Sequence, residues 1–377
     1  MRATVSKAFE SFILILPPLA FVLLSAVSGS ARVSDAGVGP SFPGLQEGQN
    51  QTTTKSEPQT PADPQVNAVL DELAAAGIAH PTTVADVRKA YLFYPKLSGA
   101  PEHVFRVEDR LIPGPGGSIP ARVYTPNSTG GLPLLIFFHG GGFVAGSLDT
   151  HDTPLRSVAN RCECIVVSVA YRLAPENKYP AAPEDAYAVT KWVAEHGADI
   201  SGDPHRIAVG GDGAGGNLAA VVTLMARERG NPQLIFQLLI HPMVDATIMR
   251  PSWWTESNAP TVSRESKNEM LGMYLPITGD LRDPFVSPLF AENLKDLPPA
   301  LVITDEDNPM RDEGEEYARR LRRNGVLAKV SRYPKMIHGF FLMAGELDAG
   351  KKCIDEAAVA LRNAFKDMAH TVLAPPK

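Results

Sequence analysis

Two short apolar runs, each ending in a cluster of glycines, constrain this chain more than any other feature. Leu135-Ile136-Phe137-Phe138 runs into His139-Gly140-Gly141-Gly142-Phe143, and Ile207-Ala208-Val209-Gly210-Gly211 runs into Asp212-Gly213-Ala214-Gly215-Gly216-Asn217. A run that is apolar at every position has no solvent face, so each reads as a buried strand. The glycines that follow let the backbone turn sharply and bring its N–H groups inward without a Cβ in the way. Further strands are expected at Val104–Ile112, Ile119–Tyr124, Cys164–Ala170, Phe236–Met243, Ala300–Thr304 and Lys329–Tyr333. Helical spacing appears at Pro183–His196, Ala214–Arg229, Glu313–Asn324 and Asp348–Phe365. Strands alternating with helices predict an α/β fold with parallel strands and crossover helices.

The rest of the chain sets limits. Its 377 residues, 44% hydrophobic and 21% charged, are enough for a large buried core. With a formal net charge of −6 and no long Lys/Arg run, nucleic acid is not an expected partner. Arg2 and Lys7 precede an apolar stretch from Phe12 to Val27, and Gly29, Ser30 and Ala31 follow, the order of a secretory signal. Residues 1–31 are therefore expected to direct export to the periplasm or the exterior, with an uncleaved signal as the anchored alternative. Residues 32–61, rich in Gly, Ser, Pro, Gln and Thr, predict a flexible linker, and 62–377 the folded domain. Asn50 and Asn127 open glycosylation sequons, meaningful only in a eukaryotic secretory host. Cys162 and Cys164, two apart on an expected strand, are too close along one chain to pair easily. No cysteine spacing fits zinc, and no nucleotide or flavin motif appears, so neither metal nor cofactor is expected.

The second glycine turn has the strand, turn and helix context of a nucleophile elbow, G-x-S-x-G, with glycine at its middle position. The first has the form of an oxyanion loop, in which backbone N–H groups hold a developing negative charge. Together with Tyr171-Arg172-Leu173-Ala174-Pro175-Glu176, Pro183-Glu184-Asp185-Ala186, Arg311-Asp312-Glu313-Gly314 and Ile337-His338-Gly339-Phe340, these motifs resemble the hormone-sensitive-lipase type of α/β-hydrolase, the bacterial carboxylesterases with HGGG and GDSAGG motifs. The resemblance covers about Pro61 to Phe365. It implies an α/β-hydrolase fold: a mostly parallel, eight-stranded sheet with a helical cap formed by 62–101 and 245–281. It also implies a small ester or carboxylate ligand with short acyl groups, and a homodimer formed by pairing of the C-terminal strand and helix.

Carried onto this sequence, the family's base is His338. The acid position holds Asn308 where the family has Asp, and the nucleophile position holds Gly213 where the family has Ser. The implied oxyanion donors are the N–H groups of Gly141, Gly142 and Ala214. Phe143 and Phe340 are expected to border the site, and Trp253, Trp254 and Met243 to line an acyl pocket or pack the cap on the core. His241 stands where the family usually has tyrosine and reads as a core-edge residue. Asp212 is expected to point away from His338, and Asp305 and Asp307 to be solvated. No Ser or Cys occurs from Gly202 to Ile235, so no near neighbour replaces the nucleophile. Removing a triad nucleophile costs about 10⁶ in turnover and leaves roughly 10³ to 10⁴ over water. Serine-esterase turnover is therefore expected to be very weak or absent. Three readings follow: a ligand-binding pseudoenzyme, a lyase or cyclase using His338 with the oxyanion donors, or an esterase silenced by mutation.

Overall fold

A computed structural model describes residues 63–256 and 259–372, with side chains to residue 366. The expected signal, linker and Asn50 sequon lie outside the described residues. Two helices come first: α1 (Pro64–Ala75) and α2 (Val84–Leu97). Asp63 starts α1, its carboxylate accepting from the Gln65 N–H, with Pro64 at the first helical position. Thr83 and Asp86 form a reciprocal capping box at α2.

The remaining elements alternate. They are β1 (Arg106–Gly114), β2 (Gly117–Thr125), β3 (Leu132–Phe138), α3 (Asp152–Cys162), β4 (Ile165–Val169), α4 (Ala181–His196), β5 (Gly202–Asp212), α5 (Ala214–Arg229) and β6 (Phe236–Ile240). After them come α6 (Ser252–Thr255), α7 (Arg264–Tyr274), β7 (Ala300–Asp307), α8 (Arg311–Arg323), β8 (Ala328–Ile337) and α9 (Asp348–Val372). The eight strands form one sheet in the order β1-β2-β4-β3-β5-β6-β7-β8. β2 is antiparallel to both neighbours, and every pair from β4 to β8 is parallel.

The apolar strands are explained by cover on both faces. In β3, Leu134, Ile136 and Phe138 point into one core with α4, α5 and α8, while Leu135 and Phe137 point into a second core with α1, α3 and α9. The sheet and most helices follow the sequence reading to within a few residues at their ends. Helix α3 is not evident in the sequence, because its stretch from Asp152 to Cys162 is largely polar, with Pro154, Leu155, Val158, Ala159 and Cys162 its apolar residues.

The expectation for the cysteines is corrected. Cys162 closes α3 and Cys164 precedes β4, so they are not on one strand, and Glu163 between them has the left-handed φ of 56°. That turn brings the two Cα atoms to 5.3 Å and the pair forms a disulfide. Among the described residues no helix is long and apolar enough to cross a membrane.

The glycines at the two ends of α5 differ in what they must avoid. A Cβ on Gly215 would overlap the Phe138 carbonyl, whereas one on Gly230, at φ 73°, would meet nothing within 4 Å. Gly215→Ala is therefore expected to destabilise the fold by about 3 kcal/mol or more, and Gly230→Ala by only about 1 kcal/mol from its backbone conformation. Denaturant unfolding of the two variants checks this; equal losses would contradict the packing argument.

Candidate active site

Five residues of the site each stand one position beyond a strand end. His139 follows β3, Gly213 follows β5, His241 follows β6, Asn308 follows β7 and His338 follows β8. The parallel register aligns these ends, with Phe138 beside Gly211, Asp212 beside Ile240 and Asp307 beside Ile337. A crevice at the carboxyl ends of parallel strands is where α/β sheets place ligands.

Gly213 forms the apex between β5 and α5, with φ 53° and ψ −116°. Side chains rarely adopt that conformation, so a residue other than glycine there is strained. The space itself is open: a Cβ would stand 3.5 Å from His338 Cε1 and 3.7 Å from Nε2, ordinary contact distances. His338 thus addresses the apex through its Nε2 edge. The glycine leaves it no side-chain oxygen to act on.

The first glycine turn is held against this apex by Asp212. Its Oδ1 accepts from the Gly140 N–H at 2.9 Å and lies 3.0 Å from His151 Nε2. His151 Nδ1 in turn sits 2.8 Å from the Thr150 hydroxyl. Burial works to raise the Asp212 carboxyl, but the charge and hydrogen bond of His151 bring it down to about 2, so it remains a carboxylate. The partners of Asp212 are therefore the first glycine turn and His151, not His338. Tyr171 adds a second tie, donating to the His139 carbonyl at 2.7 Å while stacking on the ring at 4.4 Å. Gly141 and Gly142 adopt φ of 121° and 60°, and their N–H groups and that of Ala214 have no protein acceptor among the described residues. Ala214 opens the 16-residue helix α5, whose N-terminal dipole adds to the attraction for negative charge.

Behind His338 lies a buried polar chain. The Asn308 amide accepts from the Met310 N–H through Oδ1 at 2.9 Å, and its Nδ2 donates to Asp305 Oδ2 at 2.9 Å. The same Nδ2 lies 3.2 Å from His338 Nδ1. Asp305 Oδ1 is 3.1 Å from His241 Nδ1, and the rings of His241 and His338 stand 4.4 Å apart. Two expectations are corrected. Asp305 is fully buried, because His241 and Asn308 supply the partners that water would otherwise give. His241 is likewise buried, and its ring packs against that of His338 rather than marking the core edge. Asp307 is exposed, as expected of a residue outside this chain of bonds.

Burial opposes a charge on His241, yet the Asp305 carboxylate and, further off, Asp212 lift it above the ordinary imidazole range. His338 goes the other way. Burial, then the neighbouring charges of His241 and Lys267, hold it well below the usual range, and it is neutral at neutral pH. His241, Asp305 and His338 offer nitrogen and oxygen donors within 4.8 Å of one another, a spacing compatible with a transition-metal ion. The His241–Asp305 hydrogen bond and the Asn308 bridge from Asp305 to His338 account for the arrangement, although His241 Nε2 has no partner among the described residues.

This layout of turns has known counterparts. A family pattern described as the alpha/beta hydrolase fold matches residues 135–342. Carboxylesterase NlhH of Mycobacterium tuberculosis is 38% identical over 314 residues, covering 81% of this chain and 98% of that protein. Among solved structures, an esterase from Pyrobaculum calidifontis is 43% identical with a TM-score of 0.74, covering 80% of this chain and 99% of that one. A Ser161Ala mutant of the hydrolase LAE6 from the Lake Arreo metagenome is 35% identical with a TM-score of 0.77, covering 81% and 99%. The chain belongs to the hormone-sensitive-lipase type of α/β-hydrolase carboxylesterases.

In this carboxylesterase-family chain a cavity of about 40 Å³ lies over the apex. Gly141, Gly142, Gly213, Ala214 and His338 line it, closed by Tyr91 and Tyr94 of α2 and by Lys267 and Met270 of α7. The two cap pieces thus converge on the site. Of the expected pocket residues, only Met243 lines it. Trp253 is buried elsewhere, its Nε1–H donating to Glu313 at 2.8 Å beneath the Lys267 ammonium. Trp254 is 60% exposed under Arg264. Phe143 stacks on Tyr274 at 3.9 Å, and Phe340 packs behind His241. The sequence placed these aromatics near the site but not their faces: Phe143 and Phe340 stand in the turns after β3 and β8, and Trp253 and Trp254 in the segment after β6, where no period gives direction. His151 carries no signal in the sequence, and the pairing of Asp305 with His241 is not readable there either: each lies outside a family motif, and only the fold brings it to its partner.

Burial of His139 lowers it to about 4, with help from His151, against an unfolded value near 6.5. Because the folded value is depressed, the unfolded chain binds more protons between these limits. The stability carried by neutral His139 is complete above about pH 6.5 and is lost as pH falls towards 4, at up to about 1.4 kcal/mol per unit. Thermal denaturation across this range is expected to show the loss, with a shallower slope in His139→Gln. An unchanged slope in that variant would count against the assignment.

Proposed function

We propose that this carboxylesterase-family protein binds the carbonyl or carboxylate group of a small acyl compound and does not form an acyl-enzyme. The observation that carries the reading is the apex itself: His338 faces Gly213, whose side chain provides no hydroxyl, while the surrounding backbone donors persist. Supporting it, Asn308 supplies no charge to stabilise an imidazolium at His338. The cavity of about 40 Å³ suits a short acyl group, since one water needs about 10–15 Å³ by the same kind of measure. Its walls from Val87, Ala90, Met243, Val262 and Met270 are apolar.

Export of the protein belongs to the same proposal. Its support is the sequence order at the N-terminus, with Arg2 and Lys7 before an apolar run and small residues after it. Assembly as a two-fold pair is supported by the place of β8 at one edge of the sheet.

Hydrolysis of p-nitrophenyl acetate and butyrate by the unaltered protein is expected to stay near background, and a fluorophosphonate is expected to leave it unlabelled. The double substitution Gly213→Ser with Asn308→Asp is expected to raise turnover by about 10² or more, restoring both nucleophile and acid. Robust hydrolysis by the unaltered protein would overturn the reading.

A further inference from the structure

The hydrogen bonds behind His338 decide which of its nitrogens carries the proton. The Met310 N–H can only donate, so it faces the amide oxygen of Asn308 and turns the NH₂ group the other way. That group has two protons. One goes to the Asp305 carboxylate at 2.9 Å, and the other is aimed at His338 Nδ1 at 3.2 Å. A nitrogen that accepts a hydrogen bond in neutral imidazole is the unprotonated one, so the remaining proton of His338 sits on Nε2. Nε2 is the nitrogen that faces the apex.

The cavity is therefore surrounded by donors. The Gly141, Gly142 and Ala214 N–H groups and His338 Nε2–H border it, and among the described residues no Asp or Glu lines it and Lys267 is its sole charged lining side chain. The Lys267 ammonium is held by the Asp245 carbonyl at 2.8 Å and by the Glu313 carboxylate. A neutral ester offers one good acceptor to this array; a carboxylate offers two oxygens and a full charge. Resting on the non-hydrolytic reading above, we infer that the site is a receptor for a short carboxylate anion, with Asp305 and His241 as positioning residues that hold the Asn308 amide so that His338 presents Nε2–H.

Asp305 acts by giving the amide a fixed acceptor, and His241 acts by orienting Asp305 through Nδ1 at 3.1 Å. Neither touches the cavity, whose walls do not include them. The substitution of Asn at 308 then does more than remove a charge: it reverses the polarity of the histidine edge that meets the ligand.

Nitrogen-15 NMR of the full protein at pH 7 tests this. His338 is expected to show a protonated, pyrrole-type Nε2 and an unprotonated, pyridine-type Nδ1. Asn308→Asp is expected to reverse the pair, and Asp305→Ala to give a mixture of both forms. Calorimetric titration with sodium acetate is expected to show binding to the unaltered protein at least tenfold tighter than to acetamide, its neutral isostere, a difference of about 1.4 kcal/mol. Acetate binding is expected to weaken tenfold or more in Asn308→Asp. A protonated Nδ1 in the unaltered protein, the same tautomer in Asn308→Asp, or equal binding of acetate and acetamide would overturn the inference. Should Asp305→Ala fail to fold, the first two spectra still decide. The ester assay fails or succeeds separately, because turnover of p-nitrophenyl acetate does not report which nitrogen of His338 is protonated.

Discussion

The site depends on one close approach, the backbone of Gly215 lying against the Phe138 carbonyl. No residue with a side chain fits there, and Gly211 is confined in the same way between Gly215 and Phe138. This contact sets the distance between the end of β3 and the start of α5, and so between the two groups of backbone donors. Asp212 completes the join, its carboxylate reaching across to the Gly140 N–H. A side chain from one turn thereby fixes the backbone of the other, and His151 and Thr150 keep that side chain charged and oriented.

Among the described residues, charge is buried only with a partner. Lys267 and Glu313 meet beside Trp253, His241 meets Asp305, and Asp212 meets His151. Isolated ions at these depths would cost several kcal/mol each, so every pair implies that both members were placed together. The Lys267 pair has a further effect. It joins α7 of the cap to α8 of the core, so the roof of the cavity is fixed to the scaffold by an interaction whose loss of either partner would strand a buried charge.

Much of this is legible in the sequence. The apolar runs fixed β3 and β5, because a strand buried on both faces leaves no other pattern, and the glycines after them located both turns. Gly213, Asn308 and His338 were readable because each lies in a motif tied to a strand end. The faces of Phe143, Trp253, Trp254 and Phe340 were not, since side-chain direction in an irregular segment depends on packing that no periodicity encodes. The Asp305–His241 pair was hidden by distance: 64 residues separate its members, and each alone looks like an ordinary polar residue near a strand. The cysteine pair was misjudged because one residue at positive φ changes the reach of a short segment.

The position of each site residue just after a strand has a consequence for how such proteins change over time. A strand-end position contributes its backbone to the scaffold and its side chain to the crevice, so the two roles are separable. Serine or glycine at 213, aspartate or asparagine at 308, tyrosine or histidine at 241 leave the ladder of β5, β6 and β7 unaltered. Chemistry in this architecture is thus exchanged residue by residue at the rim, while the sheet beneath is inherited whole. A lineage can cross from turnover to recognition without passing through an unfolded intermediate sequence.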